Sequence, residues 1–250
     1  MDYIDELVIA YRVLASHGVV DAYGHVSLRH PENPERYFIA RALAPELVTR
    51  DDIFEFDLDS DVIDTDGRAD GVSMYLERYI HGEIFKERAD VNAVVHNHSP
   101  SVIPFGVTEV PLRPLVNTGA FIGLGVPTFE IKDFQPAGDI IISSPYLGNA
   151  LAGVLGDAPA ALMRGHGATV VAETLPLVCV RSIYLEVSAN LQMQAITIAG
   201  QGGKVVYLED DEVAATVARQ DAKETWRRGW TLWRSKAIAE LQAEGALPKV

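Results

Sequence analysis

The run Val91-Asn92-Ala93-Val94-Val95-His96 constrains this chain more than any other segment. It is short, β-branched and apolar, and it leads directly into His96-Asn97-His98. Such a run reads as a buried strand. Alternate side chains on a strand share a face, so His96 and His98 point the same way with Cα atoms roughly 7 Å apart, and Asn97 faces the other side. Two imidazoles so placed can close on one divalent ion at ~2.0–2.2 Å. His-x-His alone is weak evidence, so the reading depends on finding further ligands elsewhere in the chain.

The surrounding pattern mixes short strands with helices. Ile4, Leu7, Val8, Tyr11, Leu14 and Ala15 recur at helical spacing, and Gly18 follows as a stop, which predicts an amphipathic helix over 2–17. His25–Arg29, Tyr37–Ala40 and Ile53–Leu58 read as strands, with Asn33-Pro34 as a turn. Residues 74–88 read as a helix carrying Glu77 and His81, and Ser99-Pro100 begins a short helix after the His96 strand. The stretch 106–145 is rich in Pro and Gly and predicts loops and short strands. Leu147–Leu155 predicts a short helix. Ala160–Met163 and Ala168–Val171 predict two strands flanking Arg164-Gly165-His166-Gly167. Thr174 caps a long helix to about Ala199, with Pro176 in its first turn. Asp210 or Asp211 starts a final helix to about Gln242.

Two tempting motifs fail. Asp57-x-Asp59-x-Asp61 imitates a calcium loop, but Val62 stands where Gly is required and Arg68 where Glu is required. Gly119-x-x-x-Gly123-x-Gly125 has the wrong glycine order for a dinucleotide fingerprint, and no helix is expected after it. No linker or internal repeat interrupts the 250 residues, which predicts a single domain over 1–250. Strands and helices without regular βαβ alternation predict an α/β sandwich with a largely antiparallel sheet.

Net charge of −14 argues against nucleic acid or an anionic membrane as partner. The one cysteine, Cys179, lies among Leu177, Val178 and Val180 and reads as a core thiol in a reducing compartment, so a cytoplasmic location is expected. The N-terminal residues lack the basic and apolar regions of a signal peptide, and no apolar run is long enough to span a membrane.

His166 lies between two glycines at a strand–strand turn, where a tight bend can carry an imidazole over the sheet edge. Glu77 lies on a helix that must pack back on the sheet beside the His96 strand. Three imidazoles and a carboxylate form a candidate site for Zn2+ or Mn2+, with Fe2+ and Co2+ as further candidates. Glu77 can be a fourth ligand or an acid/base.

These pieces together resemble the class II aldolase/adducin family. The matching stretches are Gly24-His25-Val26-Ser27-Leu28-Arg29, Glu77 nineteen residues before His96-Asn97-His98-Ser99-Pro100, and Gly165-His166-Gly167. The resemblance covers about residues 5–210. It implies that His96, His98 and His166 bind a divalent metal, with Glu77 as ligand or acid/base. It also implies a three-layer α/β/α sandwich around a mostly antiparallel sheet. A homo-oligomer is expected, most often a tetramer, with active sites between subunits and C-terminal residues supplied by a neighbour.

The departures narrow the expected activity. Sugar-phosphate members have Asn where His25 stands, and they carry small hydroxyl and glycine residues that hold phosphate. Here the corresponding stretches are Ala40-Arg41-Ala42-Leu43-Ala44-Pro45 and Tyr75-Leu76 before Glu77. A phosphate without such donors is poorly held. The pattern is similar instead to the family's metal-dependent decarboxylases of hydroxyphthalate or pyridine-dicarboxylate type, which implies a small acidic substrate. His25 is then a candidate to protonate the ring carbon or orient the phenol. Arg41 is a candidate to hold a second carboxylate, with Arg29 and Arg164 as weaker ones. His81, one helical turn beyond Glu77, can support the site from behind or contact substrate. His17 and His30 read as cap and turn residues. Two other readings stand beside this one: an aldolase, epimerase or dehydratase acting on a sugar or hydroxy-acid, and a non-catalytic adducin-like interaction module. Trp226, Trp230 and Trp233 share one face of the last helix and form either a helix–helix seam or an aromatic lid, with a subunit contact as the third use.

Overall fold

The computed structural model describes residues 1–247. In chain order it comprises α1 (Tyr3–Ser16), β1 (His25–Arg29), β2 (Arg36–Ala40), β3 (Ile53–Asp57), α2 (Arg78–Glu87), β4 (Ala93–Asn97) and α3 (Ile103–Gly106). After a 3-10 segment (Asn117–Leu124) come β5 (Thr128–Phe129), α4 (Pro145–Leu155), β6 (Ala160–Met163), β7 (Gly167–Ala172), α5 (Leu175–Ala199), α6 (Asp210–Lys223) and α7 (Arg227–Ala243).

Alternation along the strands sets the architecture. On β2, Tyr37 and Ile39 enter one apolar cluster while Phe38 and Ala40 enter another. On β4, Val94 faces the first and Ala93 and Val95 the second. A sheet apolar on both faces needs a helical layer on each side. Buried residues of α2 and α4 cover the first face, and α1, α5 and α7 cover the second. The result is the expected three-layer α/β/α sandwich. The seven strands run in the order β3-β2-β1-β4-β7-β6-β5. Among the described residues every pairing is antiparallel except β5 with β6, so the sheet is mixed. Strand β4 lies at its centre and is buried along its whole length, as its apolar run requires.

Local signals explain the helix starts. The Asp2 carboxylate accepts from the N–H groups of Ile4 and Asp5, both at 3.0 Å, and so caps α1. Thr174 caps α5, with Pro176 inside the first turn.

The short helices expected from Ser99-Pro100 and Leu147 start at Ile103 and Pro145, and two larger differences bear on the site and the C-terminal region. The helix expected over 74–88 begins only at Arg78, with Glu77 at its N-cap. Met74 is held in an isolated bridge to Arg41, and Ala42 N–H donates to Ser73, which keeps the preceding residues extended. The helix expected from 210 to 242 is two helices. Glu224 adopts a left-handed conformation (φ 43°) and ends α6. The break lets α6 pack on the 3-10 segment while α7 turns onto α1 and α5. Trp230 is buried in that seam, and the Trp233 ring lies 4.7 Å from that of His17.

Arg29 ties the sheet to α2. It is buried, and its guanidinium donates to four carbonyls: Val91 (2.9 Å), Pro34 (2.7 Å), Phe85 (2.7 Å) and Arg88 (3.0 Å). Its role is therefore structural, not the substrate contact that sequence left open. Arg29→Met leaves these carbonyls without their donor and is expected to destabilise the fold by about 2–4 kcal/mol. Urea unfolding checks this; a midpoint equal to that of the parent protein would contradict the assignment.

Candidate metal centre

Three strand ends meet at one end of the sheet. His25 opens β1 and stands directly opposite His96 near the end of β4, while His166 immediately precedes β7, the other neighbour of β4. His25, Ser27 and His96 alternate with Val26 and Val95, so they occupy the face covered by α2 and α4. His98 lies one residue beyond β4 and returns to the same side. The turn before β7 uses Gly165 at φ 67°. A Cβ at Gly167 would lie 2.0 Å from the Asn97 carbonyl oxygen, so only glycine lets β7 start this close to the end of β4.

The geometry brings Glu77, His96, His98 and His166 together, with one potential ligand atom from each inside a span of 4.8 Å. His96 Nε2 lies 3.1 Å from His98 Nε2. Glu77 Oε2 lies 3.4 Å from His96 Nε2 and 3.5 Å from His166 Nε2. The other carboxylate oxygen accepts the backbone N–H of Ile142 at 3.2 Å, which aims Oε2 at the imidazoles. Atoms bound tetrahedrally at ~2.1 Å from one ion lie about 3.4 Å apart, so these separations suit a single divalent cation. His96 Nδ1 and His166 Nδ1 are buried without a hydrogen-bond partner among the described residues. Ring packing holds them instead: the His96, His98 and His166 centroids are 4.9–5.0 Å apart.

Electrostatics favour the ligating forms. Burial, and then the neighbouring imidazoles, push His98 down to about 4 and His81 to about 3, and hold His25 well below the usual imidazole range. Neutral imidazole is the form that binds a cation. Burial pushes the Glu77 carboxyl up, but His96 and His166 outweigh it and hold it well below the usual carboxylate range.

Behind this cluster, His81 bridges two strand residues. Its Nε2 lies 2.6 Å from His25 Nδ1 and its Nδ1 lies 2.5 Å from Ser27 Oγ. The Tyr75 ring packs 4.5 Å from that of His25, and its hydroxyl donates to the Leu43 carbonyl at 2.5 Å. Arg41 is not part of the four-residue cluster. Its Nε donates to Asp52 at 2.7 Å, its side chain remains 37% exposed, and its other guanidinium nitrogens have no protein partner among the described residues. Arg164 pairs with Glu130, which removes it as a carboxylate candidate. His17 bonds the Val13 carbonyl, and His30 accepts two N–H groups of its turn, as expected of cap and turn residues.

Sequence reading did not find Ser27's contact, Tyr75 or Ile142. Strand alternation from His25 contains the signal for Ser27. Tyr75 lies on an irregular segment, and Ile142 acts through its backbone, so neither leaves a pattern. Trp226 and Trp233 line a cavity of about 500 Å3 between α5, α6 and α7, with Arg181 and Tyr184, across the sheet from His96, while Trp230 is buried in the α7 seam. Within one chain they form a seam and do not cover the centre.

The family model for the class II aldolase and adducin N-terminal domain matches residues 5–193. The chain is 33% identical over 242 residues to decarboxylase tropJ of Talaromyces stipitatus, covering 88% of each. It is 29% identical over 221 residues to a 3,4-dihydroxyphthalate decarboxylase of Arthrobacter keyseri, covering 84% of each. Among solved structures, L-fuculose 1-phosphate aldolase from Glaciozyma antarctica shares the fold with a TM-score of 0.78 and 22% identity, covering 96% of this chain and 90% of that one.

Replacing His96, His98 or His166 singly by Ala is expected to strip the protein of bound divalent metal, measured by elemental analysis after purification. Full occupancy in all three variants would remove these residues as ligands.

Proposed function

This chain belongs to the class II aldolase and adducin family, and we propose that within it the protein is a metal-dependent, non-oxidative decarboxylase. Its substrate is a hydroxylated aromatic or heteroaromatic dicarboxylic acid of dihydroxyphthalate or hydroxypyridine-dicarboxylate type. The observation that carries this reading is His25 placed 5.1 Å, ring to ring, from His96 of an intact Glu77/His96/His98/His166 cluster, in a chain whose relatives include decarboxylases.

Decarboxylation breaks the bond between a ring carbon and its carboxylate. The electron pair stays on the ring, CO2 departs, and a proton takes its place. His96, His98, His166 and Glu77 would hold a divalent ion, which would supply a Lewis acid; Zn2+ and Mn2+ suit the donors best, with Fe2+ and Co2+ also compatible. The residues of this chain do the rest. Glu77, with one oxygen fixed by Ile142, places a carboxylate at the reacting end of the substrate. His25 meets the substrate either to protonate the ring carbon or to orient the phenol. Arg41 is braced by Asp52 and leaves its free guanidinium edge for the second carboxylate. His81 acts through His25: its full burial and its hydrogen bonds to His25 and Ser27 favour the supporting role over a contact with substrate.

We further propose that residues 1–250 form one domain that assembles as a closed homo-oligomer, most simply a tetramer, in the cytoplasm. Exposed Ile198 at the end of α5 and Val206 just beyond it support a contact surface there. Among the described residues no helix is long and apolar enough to cross a membrane.

Metal-loaded protein offered a panel of hydroxylated aromatic dicarboxylic acids and sugar phosphates is expected to release CO2 from the acids. Aldehyde formation from sugar phosphates alone would replace this reading with an aldolase. Arg41→Ala is expected to raise KM on the active acid by roughly 10–100-fold, since charge-assisted hydrogen bonds contribute ~1.5–3 kcal/mol, with kcat and metal content little changed. An unaltered KM would return Arg41 to a surface ion pair.

A further inference from the structure

The hydrogen bonds behind His25 determine which of its ring nitrogens holds the proton. Ser27 and His81 are fully buried and His25 is 3% exposed. Ser27 Oγ lies 2.5 Å from His81 Nδ1, and among the described residues it has no other hydrogen-bond partner. Its hydroxyl hydrogen therefore has one acceptor, His81 Nδ1, and an unpaired buried O–H is disfavoured. With Nδ1 accepting, the single proton of neutral His81 is on Nε2. That N–H points at His25 Nδ1, 2.6 Å away, and donates to it. His25 Nδ1 is then an acceptor, and the proton of His25 is on Nε2. A proton on His25 Nδ1, whether in the other neutral tautomer or in the imidazolium, reverses the chain. His81 would then donate to Ser27, and the serine hydrogen would have nowhere to go.

We propose that Ser27 and His81 are positioning residues that hold His25 in its Nε2–H form, so that His25 donates a hydrogen bond to a substrate oxygen and keeps its proton. His25 Nε2 has no protein partner among the described residues, and the ring lies between Tyr75 at 4.5 Å and His96 at 5.1 Å, beside the metal cluster. A neutral imidazole so fixed is an electrophile that polarises an oxygen; surrendering the proton to carbon would leave an imidazolate. Of the two roles open to His25, orienting the phenol is the one the hydrogen bonds select. This role rests on the decarboxylase reading, whereas the tautomer does not.

Nitrogen-15 NMR of Zn2+-loaded full-length protein labelled at histidine reads the tautomer without substrate, with His25→Gln assigning the resonances. Nε2 of His25 is expected to be the protonated nitrogen and Nδ1 the unprotonated one. A proton on Nδ1 in the parent protein would overturn the proposal, whatever reaction the protein performs. Ser27→Ala removes the first donor and is expected to mix the two His25 tautomers. On the acid that proves to be substrate, it should lower kcat by roughly 10–100-fold with metal content retained. Ser27→Thr keeps the hydroxyl and is expected to restore both. A Ser27→Ala protein with an unmixed tautomer and parental kcat would also overturn it. Absence of CO2 release from every acid, with the tautomer as expected, would overturn the decarboxylase reading and the His25 role but leave the hydrogen-bond assignment standing.

Discussion

Burial of several imidazoles side by side is the constraint on which the rest of this structure depends. His81 and His96 are fully buried and His25 nearly so. In such surroundings a charged ring is expensive, and a neutral one still has a donor and an acceptor to place. The fold meets that demand for His25 and His81 through Ser27, leaves Nδ1 of His96 and of His166 without a partner among the described residues, and brings the rings together from three directions. Strand pairing sets His25 opposite His96, α2 brings His81 down onto β1, and the Gly165–Gly167 turn carries His166 to the end of β4. Only an inner strand flanked on both sides could hold His96 this way. An edge strand would leave it open to water, and its neighbours would then come from one side only.

The same economy links the centre to its surroundings. Glu77 sits at the N-cap of α2, and the residues before it are pinned by the Arg41–Met74 bridge and by the Tyr75 hydroxyl on Leu43. Arg41 and Glu77 are therefore positioned by one short segment. A substrate carboxylate gripped by Arg41 would pull on the chain that also places the Glu77 carboxylate. Had Glu77 lain inside the helix, its backbone would have been fixed by helical hydrogen bonds and uncoupled from Arg41. The N-cap position costs Glu77 no helical hydrogen bond and leaves its side chain free to take its direction from Ile142.

Much of this was readable from residues alone because it follows short-range periodicity. The period of two in Val91–His98 fixed the shared face of His96 and His98, and Gly-His-Gly marked the turn that delivers His166. Helices with side-chain caps, such as those at Asp2 and Thr174, fell close to their expected ends. What stayed hidden depends on contacts distant in sequence. Nothing local in 74–77 distinguishes a helical turn from an extended bridge, because the partner, Arg41, is more than thirty residues away. The break at Glu224 carries no glycine or proline; it arises because α6 and α7 pack on different partners. Arg29 looked like a ligand for anions because sequence shows charge and not the four carbonyls that saturate it.

The family's retro-aldol chemistry and the decarboxylation proposed here both leave an electron pair on carbon, so they can share an electron sink and differ in what grips the rest of the molecule. In this chain the proposed grip region is Ala40–Pro45 with Tyr75-Leu76, and it carries no small hydroxyl side chain. It offers instead a guanidinium with a free edge and the Tyr75 phenol ring packed at a tilt against His25. A planar dicarboxylate matches those two features, since the charge would meet Arg41 while the ring lies along Tyr75. A tetrahedral phosphate could take the same guanidinium edge, but it would gain nothing from the Tyr75 ring and would lack the further donors it needs, since the Tyr75 hydroxyl is already committed to a carbonyl. On the proposed reading, substrate class would be decided by Arg41 and by the few residues ahead of the Glu77 N-cap, while the candidate metal cluster behind them could stay unchanged.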